Sequence, residues 1–304
     1  MLRVIGVGDN FVDRYIYSGI MYPGGNSVNF SVYARMLGCE SAYCGVLAKD
    51  AEAEMILRAL DAFGVEHGQC PVMSEGETGK GSIRLVDGDR VITDDNDNGS
   101  VKHTPLRLTD DLLHYFGSFD VIHSSYFAFL EDQLGRLHST GVPVVYDFAD
   151  GWDADKLREL CPHISLAFLS GSGRDRAELE AALQLCCTSG CELALATIGK
   201  QGALAWDGKQ FYHCLPYRKG GAVTDTMGAG DSFLTGFAVS YYEGKKRLRE
   251  LMEPSAGDWM SKEDVTEYYG QLLGYSMQAG NAMAIRTCMT NGSFGRGERI
   301  AVPV

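Results

Sequence analysis

Val223-Thr224-Asp225-Thr226-Met227-Gly228-Ala229-Gly230-Asp231 reads as a loop that turns into a helix. Gly228, Ala229 and Gly230 open the helix, and Phe233, Leu234, Phe237, Ala238 and Tyr241 follow at helical spacing. A helix start leaves backbone N–H groups without partners, pointing one way at the positive end of the macrodipole. Two glycines let a bulky anion approach that backbone closely. Asp231 is the odd feature, because an ordinary anion cradle avoids negative charge. A carboxylate there suits a group that removes a proton from a hydroxyl about to attack a phosphoryl group. An Asp that merely favours a helix N-terminus accounts for the same residue, so the rest of the chain must decide.

Upstream, residues 2–7 form a short apolar strand that runs into Gly8-Asp9-Asn10-Phe11-Val12-Asp13, a polar turn, with a further strand over 14–21. Gly6-x-Gly8 resembles a dinucleotide fingerprint only in part. Phe11 stands where Gly or Ala belongs, no helix follows directly, and no acid lies about 20 residues on. That argues against an oxidoreductase. Gly24-Gly25-Asn26-Ser27-Val28-Asn29 opens a helix through Leu37, capped by Gly38. Asn26 and Asn29 place two amides on one side, which suits a hydroxyl-rich ligand; an N-cap plus a solvent Asn is the plainer alternative. Asp50 caps a helix carrying Met55, Ile56, Ala59, Leu60 and Phe63. Residues 82–86 and 91–93 flank Asp87-Gly88-Asp89-Arg90 as a hairpin, followed by an acidic loop from Asp94 to Gly99. A hairpin inside a helix-and-strand pattern suggests a small lid.

Beyond residue 108 strands over 119–124, 142–148, 165–169 and 193–197 alternate with helices, which argues for a parallel sheet covered on both faces. Ligands bind such sheets beyond the carboxyl ends of the strands, where Asp147-Phe148-Ala149-Asp150 and Thr197-Ile198-Gly199-Lys200-Gln201-Gly202 fall. Residues 203–206 and 211–214 read as a hairpin, 245–261 as a surface excursion and 265–289 as the last helix. No Gly-x-x-x-x-Gly-Lys-[Ser/Thr] string occurs, so a P-loop is not expected.

The 304 residues suffice for one large domain or one domain with a lobe, and 45% hydrophobic with 22% charged residues is an ordinary globular balance. A net charge of −13 argues against a nucleic-acid surface. No apolar run reaches the length of a membrane helix, and the N-terminus runs straight into a strand without a signal peptide. Nine cysteines lack paired spacing; the cluster Cys186, Cys187 and Cys191 is read as reduced thiols, not as a zinc site. The expected location is cytoplasmic, with no membrane partner.

In order and over nearly the full length, these motifs resemble the ribokinase-like sugar kinases of the phosphofructokinase B type. The matching strings are Asp13, Gly24-Gly25-Asn26-x-x-Asn29, the lid hairpin, Thr197-x-Gly199-x-x-Gly202, Asp225-Thr-Met-Gly-Ala-Gly-Asp231, and Asn281 with Gly292. The resemblance implies one α/β kinase domain over 1–304, a three-layer fold with a central mostly parallel sheet and a small β lid formed by about 14–22 and 80–100. It implies ATP and Mg2+, with Asp231 as general base and the amides of Gly228, Ala229 and Gly230 as an anion hole. Asp9, Asn10, Asp13, Gly25, Asn26 and Asn29 would grip a sugar. Thr197, Gly199, Gly202, Thr226, Gly228 and Gly230 would line the nucleotide phosphates and ribose, and Asn281 the adenine. A monovalent cation such as K+ would lie near Asp225 and Ser293, and a homodimer would form through the lid.

Within that family, Gly8-Asp9-Asn10-x-Val12-Asp13-x-Tyr15 and Asp147-Phe148-x-Asp150-x-Trp152-Asp153 resemble the branch that phosphorylates O6 of fructoselysine. That substrate adds a cationic amine and an amino-acid tail to fructose, which Asp94, Asp95 and Asp97 or Arg90 of the lid would meet; a solvated acidic loop is the alternative. A kinase for a plain ketose, ribose or nucleoside, and a catalytically silent sugar-binding protein, are the competing readings. The latter is motivated by a missing Asn-x-x-Glu: Ser170 and Gly173 stand in its place, with Asp175 nearby as a substitute.

Overall fold

Short apolar strands bounded by polar turns set the centre of the fold. The computed structural model describes residues 1–86, 89–217, 223–252 and 261–300. The chain begins with β1 (Arg3–Val7), the hairpin of β2 (Phe11–Tyr15) and β3 (Ile20–Gly24), then α1 (Asn26–Met36) and β4 (Glu40–Cys44). Next come α2 (Ala51–Phe63), β5 (Gly79–Val86), β6 (Asp89–Asp95), and the short helices α3 (Gly99–His103) and α4 (Asp110–Phe116). The alternating part follows as β7 (Val121–Ser125), α5 (Leu134–His138), β8 (Val144–Asp147), α6 (Ala154–Leu160), β9 (Leu166–Ser170), α7 (Arg176–Thr188) and β10 (Leu193–Thr197). The hairpin of β11 (Ala203–Trp206) and β12 (Phe211–Cys214) precedes two long helices, α8 (Ala229–Leu251) and α9 (Lys262–Thr287), and the short β13 (Glu298–Arg299).

Eight strands form one sheet in the order β12-β11-β10-β9-β8-β7-β1-β4, parallel from β4 to β10 and antiparallel at the hairpin. Successive residues of each strand serve opposite faces. Val4, Val121 and Val145 pack under α1, α8 and α9 with Phe30, Phe237 and Leu273. Ile5, Ile122 and Val144 pack on the other side with Leu137, Leu160 and Leu183 of α5, α6 and α7. Three layers result. The chain leaves β1 for β4 on one side and reaches β7 on the other, so a crevice opens beyond the carboxyl end of β1.

A second sheet, β13-β3-β2-β5-β6, forms the lid. One of its faces lies toward α2: Lys80 pairs with Glu52 at 3.6 Å and Arg58 with Glu298 at 3.0 Å. The other carries Asp13 and Tyr15 toward the start of α8. Asp50 caps α2 by accepting from Ala53 N at 2.8 Å, and it also accepts from Thr78 N and Oγ1 at 2.7 Å, tying helix to lid.

Several local expectations change. Asp13 lies on β2, not in a turn closing β1, because Phe11 already begins lid pairing opposite Gly79 and Gly24. Residues 14–21 are not one strand; the chain reverses between Tyr15 and Ile20, with Gly19 at φ 67°. Asp94 and Asp95 end β6 instead of forming a loop. The stretch from Lys245 continues α8 to Leu251, since Lys245 is buried and donates to Glu192 at 2.5 and 2.6 Å. Residues 253–260, the rest of the expected excursion, lie outside the described residues, as do Asp87 and Gly88 of the hairpin turn. The last helix starts at Lys262, behind a capping box of Ser261 and Asp264. All nine cysteines are free thiols.

Candidate active site

Five carboxylates converge where the first turns of α1 and α8 meet the carboxyl ends of β1 and β8. Their hydrogen bonds sort them into two kinds. Asp9 Oδ1 accepts from Ser27 N, Ser27 Oγ and Ser125 Oγ at 2.8–3.1 Å, and its Oδ2 accepts from Asn26 N at 2.5 Å. It supplies the charge that α1 lacks in its own first turn. Burial raises its pKa, against the pull of these bonds. Asp225 is similarly engaged, accepting from Tyr15 OH at 2.7 Å, Met227 N at 2.8 Å and Gly292 N at 2.9 Å.

Asp13, Asp147 and Asp231 are different. Asp13 is buried, yet no hydrogen bond from the described residues reaches its carboxylate. Burial, then the charges of Asp225 and Asp231, push it up to about 7. Asp147 accepts from Ala149 N at 2.7 Å and Asn26 Nδ2 at 2.9 Å, and burial with the Asp231 charge pushes it to about 8. Asp231 accepts from Asn29 Nδ2 at 2.5 Å; burial raises it to about 6, with Asn29 pulling it down. Asn29 Oδ1 is buried with no partner. An unpaired buried acceptor of this kind is costly unless a ligand satisfies it.

The start of α8 is built for close approach. Gly228 sits at φ 71°, and a Cβ there would meet Tyr33 OH at 2.6 Å and Ser293 Cβ at 2.7 Å. At Gly230 nothing lies within 4 Å of an added Cβ, so the space above the first turn is open. The helix has no side-chain cap, which leaves its leading amides for a ligand. Ala229 departs from the expected hole: its amide donates to Thr226 O at 3.2 Å.

Asn10 is buried and donates to Tyr43 OH and Val46 O, both at 2.8 Å, which holds the turn after β1. Gly25 is the N-cap of α1 at φ 101°, where a Cβ would lie 2.8 Å from Asn10 Cα. The expected nucleotide residues form a second group. A Cβ on Gly202 would fall 1.9 Å from Cys214 O, and Asn281 donates to Leu215 O at 2.9 Å beside it. Thr197 ends β10, and Gly199 follows at φ 51° with open space around it. Thr226 is exposed ahead of α8.

Asp94 is not brought to this crevice; it pairs with Ser82 on the lid face toward α2. Arg90 is on β6 opposite Leu85, but its side chain is outside the described residues. Asp175 caps α7 by accepting from Ala177 N at 2.7 Å, so it does not replace the missing acid. Ser293 accepts from Tyr33 OH at its carbonyl, at 2.6 Å. Among the described residues no group of three or more His, Cys, Asp or Glu side chains could hold a metal ion. Asp147, marked in the sequence only by its place at a strand's carboxyl end and not among the residues expected to grip a sugar, joins the site through Asn26.

A three-layer α/β fold, an open helix start with a carboxylate inside it, and buried unpaired acceptors for hydroxyls define a phosphotransferase of the ribokinase fold. The chain belongs to the pfkB family of carbohydrate kinases, whose model matches residues 18–252, and it is an ATP-dependent sugar kinase. Over 297 residues it is 31% identical to "Fructosamine kinase FrlD" of Bacillus subtilis, covering 97% of this chain and 94% of that one. Over 256 residues it is 30% identical to "Fructoselysine 6-kinase" of Escherichia coli, covering 84% and 95%. A ribokinase structure from Giardia lamblia superposes with a TM-score of 0.76 at 15% identity, covering 96% and 94%. Other solved neighbours hold ATP, one of them with Mg2+. No helix among the described residues is long and apolar enough to cross a membrane.

Proposed function

We propose that this kinase phosphorylates a fructosamine, specifically O6 of fructoselysine, with Asp231 as general base. The observation that carries the reading is the Asp231 carboxylate, set near pKa 6 beside the open start of α8. At neutral pH such a group is ionised yet basic enough to accept a hydroxyl proton. Asp13 and Asn29 Oδ1 offer unpaired acceptors to neighbouring sugar hydroxyls, and Asp147, held protonated near neutral pH, offers a donor. Asp9 and Asn10 set the backbone that carries these groups.

In the reaction the O6–H proton passes to Asp231 while the O6–Pγ bond forms. The bond from Pγ to the bridging oxygen breaks, and ADP leaves with that electron pair. The amides at Gly228 and Gly230 stabilise charge on the transferring phosphoryl. Magnesium, carried on the ATP phosphates, would neutralise phosphate charge. Thr197, Gly199, Gly202, Thr226 and Asn281 flank the nucleotide. A second copy would pair through the lid, where β6 ends the sheet order; sedimentation tests this.

The test is ADP release from Mg-ATP across fructoselysine, other fructosamines, fructose, ribose and nucleosides. Turnover on fructoselysine above the rest supports the reading. Turnover only on a plain sugar or nucleoside keeps the base and removes the substrate. Binding without turnover favours a silent sugar-binding protein, the alternative raised by Ser170 and Gly173.

A further inference from the structure

We propose that Asp95 is the residue that reads the cationic amine of the substrate, an inference that rests on the fructosamine reading above. Strand register sets Asp95 in line with Asp13. Asp13 on β2 lies opposite Gly81 on β5, and Gly81 lies opposite Asp95 on β6. Residues directly opposite one another share a face of the sheet. Asp13, Gly81 and Asp95 therefore form one row on the face toward α8. Two strand spacings separate the ends of the row, roughly 9–10 Å between backbones. Gly81 puts no side chain between them.

The two carboxylates differ in a way that fits two ligand groups. Asp13 is buried and unpaired, suited to a hydroxyl. Asp95 is exposed; its Oδ1 accepts the Asp97 amide at 2.8 Å, and no hydrogen bond from the described residues reaches Oδ2. In a 1-amino-1-deoxyketose the amine sits on C1, at the far end of the sugar from the C6 hydroxyl offered to Asp231. As a secondary ammonium it carries positive charge and two N–H donors. A sugar bonded to Asp13 and lying across Gly81 presents that ammonium to Asp95.

Asp94 has the opposite placement. Its register partner Ser82 faces Arg14, and with Arg14, Lys80 and Ser82 it lines a cavity of about 140 Å³ that Gly81, Asp95 and Asn96 also border. The Lys80–Glu52 pair fixes that face against α2. By register the two neighbouring acids alternate between the faces of the lid, and Asp95 is the one in the row with Asp13.

The experiment compares kcat/KM for fructoselysine and for fructose in the full-length protein, Asp95→Asn, Asp94→Asn and Asp95→Glu. A charged hydrogen bond of ordinary strength predicts that Asp95→Asn lowers the fructoselysine-to-fructose ratio on the order of 10-fold. Asp95→Glu recovers part of the ratio, and Asp94→Asn leaves it unaltered. Equal losses on both sugars in Asp95→Asn would make Asp95 structural and overturn the inference. A ratio that moves in Asp94→Asn alone overturns the register argument. Wild-type protein that turns over fructose but not fructoselysine removes the substrate reading itself, a result that needs no variant to recognise.

Discussion

Asn29 Nδ2 donates to Asp231 Oδ2 at 2.5 Å, joining the first turns of α1 and α8 across 202 positions of sequence. The bond favours the ionised carboxylate, whereas burial and the Asp9 charge oppose it. Asp231 must be deprotonated to act as base, so wild-type kcat/KM falls as pH drops through about 6. Asn29→Ala removes the bond that holds the pKa down. Its acid limb moves to higher pH, besides any loss of sugar affinity. A pH–rate profile whose limb stays in place in Asn29→Ala would show that Asp231 is not the titrating group.

Asp231→Asn keeps the shape of the carboxylate but cannot accept the hydroxyl proton. General-base assistance is worth about 10²–10⁴-fold, and kcat should fall by about that factor. ATP affinity, measured by calorimetry, should change little, because the amides at the helix start remain. Full turnover in this variant removes Asp231 from the mechanism.

The two glycines of the helix start should respond in opposite ways. Gly228→Ala forces a Cβ at φ 71° against Tyr33 and Ser293, so stability falls by about 1–3 kcal/mol in urea unfolding. Gly230→Ala meets nothing within 4 Å and gains helix propensity, so stability holds or rises by about 0.5–1 kcal/mol. Its methyl nevertheless enters the space proposed for the phosphoryl group, so turnover with ATP should fall. A stable, fully active Gly230→Ala protein would place the phosphoryl group elsewhere.

Sequence carried the parallel strands and the start of α8 because period and glycine spacing are local signals. The hairpin of β11 and β12 followed from its turn residues for the same reason. What was not legible depended on partners far along the chain. Asp13 was read as the end of a turn, since β2 is defined only by pairing with β3 and β5. Asp94 and Asp95 could not be told apart, because one residue of register decides which face an acid occupies; a register shift between Ser82 and Ile83 conceals that parity. Asp175 looked available until its capping bond to Ala177 was seen. Asp9 and Asp231 look alike in sequence, and only the count of protein donors separates an anchor from the proposed base.

The pooled acids also give the fold a pH dependence. Asp147 is raised to about 8 in the native state, against an ordinary value of 3.8. Between those values the folded protein holds a proton that the unfolded chain has lost. Its contribution is therefore complete below the unfolded value and declines as pH rises through about 8, with a slope of about 1.4 kcal/mol per pH unit for one proton. Asp13, raised to about 7, acts in the same direction. Asp147→Asn cannot ionise and removes its share of the slope. Urea unfolding of the ligand-free protein at pH 6 and pH 8 should show wild type losing stability over that interval and Asp147→Asn losing less. The variant should be the more stable at pH 8 and the poorer kinase, as expected where strain is kept for function. Equal slopes in the two proteins would mean that Asp147 is ionised in the native state at pH 6, and its role as a hydrogen-bond donor to the sugar would fall.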